Sequence, residues 1–236
     1  YEDELSANLE SLRARLASSN WFDQIEIGEI LVAPKGFHGD TTSSENITRV
    51  GRVGDANPRK LEVRVLLSPS PEFSIVEVLY LWEFGPVLQS VLIDECLGYR
   101  LNLRDGRISR TTRYIFEYWA KQYQLYRTRP LDSAKELLDR NVGEPILIVS
   151  GDFRSFYDSI DPEFMLSERF FEQLSSGPLR ENFDKIREEY QLATRSLEAA
   201  YSRYRSRVEE LSGKTCRTGI PIGAATSRVV AIPVYS

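Results

Sequence analysis

The sequence predicts a helix-rich α+β fold, and three stretches of the chain carry this prediction. The most regular is 181–211, where apolar residues recur every three or four positions and Gly213 follows as a helix end. In 60–67, apolar residues alternate with charged ones, which is typical of a half-buried strand. The third stretch is the short apolar run at 146–149, which we expect to form a buried strand.

The amino-terminal part of the chain is predicted to form a helix, a loop and a strand. Residues 2–17 carry leucines at spacings of four, three and four, which predicts an amphipathic helix. The stretch 36–58 is rich in Gly, Ser, Thr, Asn and Asp, so we expect a loop or a loose hairpin. The strand predicted at 60–67 follows it and ends at a Ser-Pro-Ser-Pro sequence.

The middle of the chain is predicted to be helical. The stretch 73–92 is strongly apolar but contains Gly85 and a following proline, which predicts two helices with a break between them. Residues 113–127 predict an aromatic-rich helix, and 130–140 predict another. Aromatic side chains at helical spacing can stack on bases, although they are more often part of a core.

The composition bounds the class of protein. The chain has 236 residues, of which 42% are hydrophobic, and a formal net charge of −5, which does not favour a protein coated in basic residues. Its 30 Lys and Arg still suffice for a local basic groove. Two cysteines without a CxxC motif and a single histidine favour a reducing, cytoplasmic location over a disulfide framework or a zinc site. No apolar run approaches the ~20 residues of a membrane span, so no membrane partner is expected.

The first motif with a chemical interpretation is DFRSFYDSI, which follows the predicted strand at 146–149. A carboxylate at a strand end, here Asp152, can bind a hard cation, and metal-dependent phosphoryl transfer needs such groups. Tyr157, five residues on, would lie beside the same metal and leave no room for a sugar 2′-hydroxyl. The competing interpretation is structural, because a strand, an aspartate and a helix beginning at Asp161 and Pro162 form a common connection.

The second motif is TGIPIGAATSRVVA at 218–231. Gly219, Pro221 and Gly223 predict a stiff turn that allows close backbone approach, followed by a helix. Such a turn can hold a phosphate or a base pair against exposed backbone N–H groups. Alone, this pattern is more often a structural turn than a site.

In this order, the two motifs resemble motifs A and B of reverse transcriptases. The chain is similar in particular to the bacterial defence-associated and abortive-infection-like group. An aspartate followed at the fourth and fifth positions by aromatics is typical of motif A, and GIPIG stands where G-[IL]-P-Q-G is usual in motif B. Ile222 departs from the usual glutamine. The stretch 73–101 also resembles the fingers segment of that group, with Gly98, Tyr99 and Arg100 near its end.

The resemblance covers roughly residues 59–231 and implies a right-hand polymerase fold of fingers and palm. Residues 1–145 would form an amino-terminal helix and a fingers-like region. Residues 146–236 would form the palm, with the long helix 181–212 inserted. The family's third palm motif, Y/F-x-D-D, is absent from the sequence. We therefore expect the carboxy-terminal part of the palm to be missing and the chain to be a piece of a longer protein.

The resemblance also implies roles for individual residues. Asp152 and the backbone carbonyl of Phe153 would bind a catalytic Mg²⁺ or Mn²⁺, with Asp152 as the catalytic carboxylate. Tyr157 would select the sugar of the nucleotide. The nucleotide-binding or template-binding residues that the resemblance implies are Tyr157, Gly223, Ser227, Lys60 and Arg64.

The implied activity is RNA-directed DNA polymerisation in antiviral defence against phage. The partners would be dNTPs, an RNA template and the DNA product, and the reaction would be attack of a 3′-hydroxyl on the α-phosphate of a dNTP. Two alternatives stay open: template-independent or protein-primed DNA synthesis on the same fold, and a non-catalytic degenerate palm that binds nucleic acid or another partner. A noncoding RNA partner and an oligomeric state stay open as well.

Overall fold

The structure is a computed structural model whose fold is helix-rich α+β. It describes residues 4–18, 24–38, 47–50, 59–108, 114–141, 143–152, 155–213 and 215–231, with only the backbone described at 35–38, 47–50 and 59–62.

The larger sheet has three strands: β1 (Gly28–His38), β2 (Ile47–Val50) and β3 (Arg59–Pro69). β3 lies in the middle and pairs antiparallel with both neighbours. The strand predicted at 60–67 is therefore confirmed. The predicted loop or loose hairpin at 36–58 contains the end of β1 and all of β2, while 39–46 and 51–58 lie outside the described residues. β1 was not predicted from the sequence.

A small hairpin was also missed, although the sequence carries its signal. It consists of β4 (Leu103–Arg104) and β5 (Arg107–Ile108), which pair antiparallel. Asp105 and Gly106 both have positive φ, at 50° and 73°. An Asp-Gly pair with this backbone is the preferred two-residue hairpin turn, because its twist matches that of the strands.

The amino-terminal helix predicted in 2–17 is confirmed as α1 (Leu5–Leu16). Of its predicted apolar stripe, only Leu12 is fully buried, while Leu5 and Leu9 are exposed. The helix therefore meets the core through Leu12 and the partly buried Leu16, and the Arg15–Glu72 ion pair joins its end to the next helix.

The apolar stretch 73–92 forms one helix, α2 (Pro71–Ser90), so the predicted break near Gly85 is wrong. Ser70 begins the helix by accepting a hydrogen bond from the N–H of Phe73 at 3.0 Å. A Cβ on Gly85 would lie 2.6 Å from the Leu101 side chain, so the glycine makes room for packing. Buried residues on both sides of Gly85 and Pro86 stabilise the helix against the proline penalty.

The two helices predicted at 113–127 and 130–140 are a single helix, α3 (Trp119–Arg140), with Pro130 inside it. It begins later than predicted because the preceding residues form extended pairs. Leu101 and Phe116 form a β-bridge, and the N–H of Asn102 donates to Ile115 O at 2.7 Å. Pro130 is tolerated because this part of α3 is exposed, so water can bind the carbonyl that loses its partner.

The apolar run at 146–149 does not form the buried strand that the sequence predicts. Residues 144–152 have no regular structure, and Leu147 and Val149 are 86% and 81% exposed. A strand needs a neighbour that satisfies its backbone hydrogen bonds, and none of the strands in the described part pairs with this run. Strand propensity alone does not supply that neighbour.

The carboxy-terminal part is helical. Its elements are α4 (Phe156–Ser159), a 3₁₀ helix (Pro162–Leu166), α5 (Glu168–Ser176), α6 (Arg180–Ser212) and α7 (Ala225–Val230). The predicted cap at Asp161 is confirmed, because its carboxylate accepts a hydrogen bond from the N–H of Glu163 at 3.0 Å. The long helix is confirmed as well, and it ends at Gly213 with a φ of 67°.

The core is centred on α2, α5 and α6. Phe84, Phe171, Phe183 and Tyr190 are buried there and pack mostly edge to face. Residues from both predicted regions, 1–145 and 146–236, contribute to one buried cluster, so the division between them stays a prediction. None of the described helices is both long and apolar enough to cross a membrane.

Candidate functional site

The two motifs singled out in the sequence lie against each other. The N–H of Gly219 donates to Ile160 O at 2.8 Å, and the N–H of Ile220 donates to Tyr157 O at 2.9 Å. These bonds join α4 directly to the turn formed by 218–223, which we call the glycine turn. Backbone hydrogen bonds of this kind fix the relative position of the two segments, because each N–H would otherwise lose its partner.

A side chain and a close approach reinforce this contact. The hydroxyl of Thr218 donates to Asp158 O at 2.9 Å, across 60 residues of sequence. A Cβ on Gly219 would lie 3.3 Å from that same carbonyl oxygen, and the φ of Gly219 is +117°. The first glycine of the motif is therefore required both for its backbone conformation and for the space it leaves.

The other side of the glycine turn packs on β3. The N–H of Leu67 donates to Ile222 O at 2.7 Å, and a Cβ on Gly223 would lie 2.1 Å from Leu67 O. Ile222, where the family pattern has glutamine, thus contributes its backbone carbonyl to the contact. Arg64 lies three residues earlier on β3 and is exposed, while the side chain of Lys60 lies outside the described residues.

Three aromatic rings and one guanidinium lie beside α4. We call Tyr99, Phe116, Tyr157 and Arg228 the Tyr–Arg cluster. The guanidinium carbon of Arg228 is 5.5 Å from the ring centroid of Tyr99 and 5.5 Å from that of Phe116. These distances are within the range of cation–π attraction. The cluster brings together the end of the stretch 73–101, both motifs and the residues just before α3.

Tyr157 interacts with Tyr99 and Arg228 of this cluster and is half-buried. Burial, and then a side-chain hydrogen bond with Tyr99, raise the pKa of Tyr157 well above its usual value. The hydroxyl is therefore protonated at neutral pH, so Tyr157 offers a flat ring and a hydrogen-bonding group rather than a base. Phe156 packs edge to face against it, with ring centroids 5.3 Å apart.

Asp152 is exposed and lies in the irregular segment 144–152. Phe153, its predicted partner in metal binding, lies outside the described residues. No group of three or more His, Cys, Asp or Glu suited to a metal occurs in the part of the chain that the structure describes. A two-metal site needs several oxygen ligands around two ions, so these residues do not fit a complete site for Mg²⁺ or Mn²⁺.

Ser227 was expected to touch a nucleotide or template, but its side chain is buried. Its hydroxyl donates to the hydroxyl of Tyr201 at 3.3 Å. The hydroxyl of Tyr201 is in turn 2.7 Å from that of Thr226. Ser227 therefore belongs to an internal network behind α7 and does not face the surface on which Arg228 lies.

The network ends on Glu77, which was not among the site residues predicted from the sequence. Its side chain is 1% exposed, and Oε1 accepts hydrogen bonds from the N–H of Thr226 at 2.9 Å and from its hydroxyl at 2.5 Å. Burial raises the pKa of Glu77, and the bonds from Thr226 oppose this rise. A signal was present in the sequence, because Glu77 interrupts the apolar run FSIVEVLYLW. A buried acid in such a run requires polar partners.

Comparisons of the chain with known protein families, with curated proteins and with solved structures give no match.

Proposed function

We propose that this chain forms the fingers and part of the palm of an RNA-directed DNA polymerase that acts in antiviral defence. The single observation that carries the proposal is the contact between the two motifs. The segments that resemble motifs A and B lie about 60 residues apart in the sequence. Hydrogen bonds from Gly219 and Ile220 join the second segment to the first. A chance pair of local patterns would have no reason to share an interface.

The Tyr–Arg cluster supports the proposal with groups that suit a nucleotide. The ring of Tyr157 can lie under a sugar, where it would exclude a 2′-hydroxyl. Arg228 keeps its guanidinium at the surface, stacked on two rings. A guanidinium held in this way presents several N–H donors to a phosphate, with little further loss of side-chain freedom. The cluster would therefore bind and orient an incoming dNTP.

A second candidate is a palm-like domain that binds nucleic acid without chemistry. The position of Asp152 favours it, because this carboxylate is exposed and the described residues contain no group of three or more side chains suited to a metal. Under this alternative, the Tyr–Arg cluster would bind a nucleotide unit of a polynucleotide, and Asp152 would be a solvated side chain.

Incorporation of labelled nucleotides by the purified full-length protein tests the proposal. Wild type would be assayed with dNTPs and with rNTPs in the presence of Mg²⁺ or Mn²⁺. We expect dNTP incorporation that Asp152→Asn abolishes. Asp139→Asn is the matched control, because it removes an exposed carboxylate from α3 and should leave incorporation unchanged.

The outcomes separate the candidates. The sequence of any product would show whether an RNA template was copied or whether synthesis was template-independent. If neither wild type nor the variants incorporate nucleotides, although the chain binds oligonucleotides, the polymerase proposal fails and the non-catalytic candidate takes its place.

A further inference from the structure

The first half of α3 carries large aromatic side chains that the fold does not bury. Trp119, Tyr123 and Tyr126 are 71%, 55% and 57% exposed. Their spacing of four and three residues places them within about 60° of one another around the helix axis. The expectation that helical spacing indicates core aromatics is wrong here, and the rings form one exposed face.

These rings are arranged as flat surfaces beside positive charge. The rings of Tyr123 and Tyr126 are nearly parallel, with an interplanar angle of 24° and centroids 6.4 Å apart. The guanidinium carbon of Arg127 lies 6.0 Å from the Tyr123 centroid. Aromatic faces interleaved with cations are the groups that bind bases and phosphates of an unpaired strand.

The chemistry of α3 changes at Pro130. Residues 114–129 contain three Lys or Arg against one Glu, whereas 130–140 contain three Asp or Glu against two Lys or Arg. The exposed apolar side chains also change, from aromatic rings in the first half to leucines such as Leu131 and Leu137 in the second. A polyanion would therefore be attracted to the first half of α3 and not to the second.

We propose that the first half of α3, with Trp119, Tyr123 and Tyr126 as stacking groups, is a platform for single-stranded nucleic acid. The inference deepens the proposed function, on which it rests, by assigning a surface to the template or product strand. From Trp119 to Tyr126 the helix rises about 10 Å. Duplex bases are already stacked on each other, so they cannot use these rings.

The test is oligonucleotide binding by the full chain, measured by fluorescence anisotropy in the presence of EDTA and without nucleotides. The probes are labelled oligo(dT) and oligo(U) of about 12 nucleotides, within the 4–16 that such grooves occupy, and a duplex of equal length. We expect both single strands to bind more tightly than the duplex, with an affinity that falls as salt rises. Trp119→Ala and Tyr123→Ala should each weaken binding by roughly 5- to 100-fold.

The second half of α3 supplies the matched control, because Leu137→Ala removes an apolar side chain that is also exposed, at 46%, from the same helix. We expect this variant to bind oligonucleotides as wild type does. Trp119→Phe reports whether the oligonucleotide lies on Trp119. This variant should still bind oligo(dT), but most of the quenching of tryptophan fluorescence seen with wild type should be lost. Because all of these side chains are exposed, circular dichroism should show an unchanged fold.

Three results would overturn the platform: no binding of either single strand, equal binding of the duplex, or aromatic variants that bind as wild type does. If Trp119→Ala instead dissociates a self-associated form and leaves oligonucleotide binding intact, the face is a protein interface. The readout needs no polymerisation. The wild-type protein could fail to incorporate nucleotides while the aromatic variants still lose oligonucleotide binding. That combination would support the platform and reject only the polymerase proposal.

Discussion

The carboxylate of Glu77 holds the first turn of α7 through Thr226, a residue 149 positions further along the chain. The backbone N–H and the hydroxyl of Thr226 both donate to the same carboxylate oxygen, Oε1. Arg228, two residues later, leaves α7 toward the surface and stacks on Tyr99. A buried acid in α2 therefore positions the guanidinium of the Tyr–Arg cluster.

Glu77→Ala should destabilise the protein strongly, because it leaves the N–H and hydroxyl of Thr226 buried without their acceptor. We expect the free energy of unfolding, measured by urea denaturation, to fall by about 3 kcal/mol. Glu77→Gln keeps an oxygen acceptor and should lose only about 1 kcal/mol. Glu83→Ala, at an exposed position of the same helix, should change stability by less than about 0.5 kcal/mol. Equal losses in Glu77→Ala and Glu83→Ala would contradict this role.

The stability of the protein should depend on the protonation of Glu77. Burial raises the pKa of this carboxyl above its ordinary value of 4.5, so the folded state holds the proton more tightly than the unfolded state. The resulting stabilisation is complete below pH 4.5 and is lost as the pH rises through the folded-state pKa. The unfolding free energy of wild type should therefore fall relative to that of Glu77→Gln as the pH rises. If the unfolding free energy of wild type stayed constant or rose relative to that of Glu77→Gln as the pH rises, the assignment would be refuted.

Gly223→Ala should prevent the glycine turn from packing on β3. The added Cβ would lie 2.1 Å from Leu67 O, and the φ of +115° is itself unfavourable for alanine. Because the obstacle is backbone, we expect a loss of about 3 kcal/mol or more in the free energy of unfolding. Gly98→Ala is the control, since its Cβ would have no atom within 4 Å. Similar stabilities for the two variants would show that the contact is dispensable.

Tyr157 should control the choice between deoxynucleotides and ribonucleotides in the proposed reaction. Tyr157→Ala removes the ring, so we expect the ratio of rNTP to dNTP incorporation to rise by about tenfold or more. Tyr157→Phe keeps the ring and loses only the hydroxyl, so its ratio should stay near that of wild type. The ratio comes from single-nucleotide competition assays, and an unchanged ratio in Tyr157→Ala would remove Tyr157 from the sugar site.

The sequence by itself determined the elements whose signals are local. The periodicity of 181–211 and the glycine after it predicted α6, and alternation in 60–67 predicted β3. Asp161 before a proline predicted the start of the 3₁₀ helix. In each case neighbouring residues supply the face that is buried or the cap that is needed, so a window of the sequence contains the physical cause.

Only the tertiary structure decided the features that depend on distant partners. Helix α2 continues through Gly85 because Leu101 fills the space beside it, and the run at 146–149 is exposed because no described strand pairs with it. Ser227 is buried and Glu77 has polar partners because α7 packs on α2 and α6. Backbone pairing and burial join residues far apart in the chain, so no local pattern determines them.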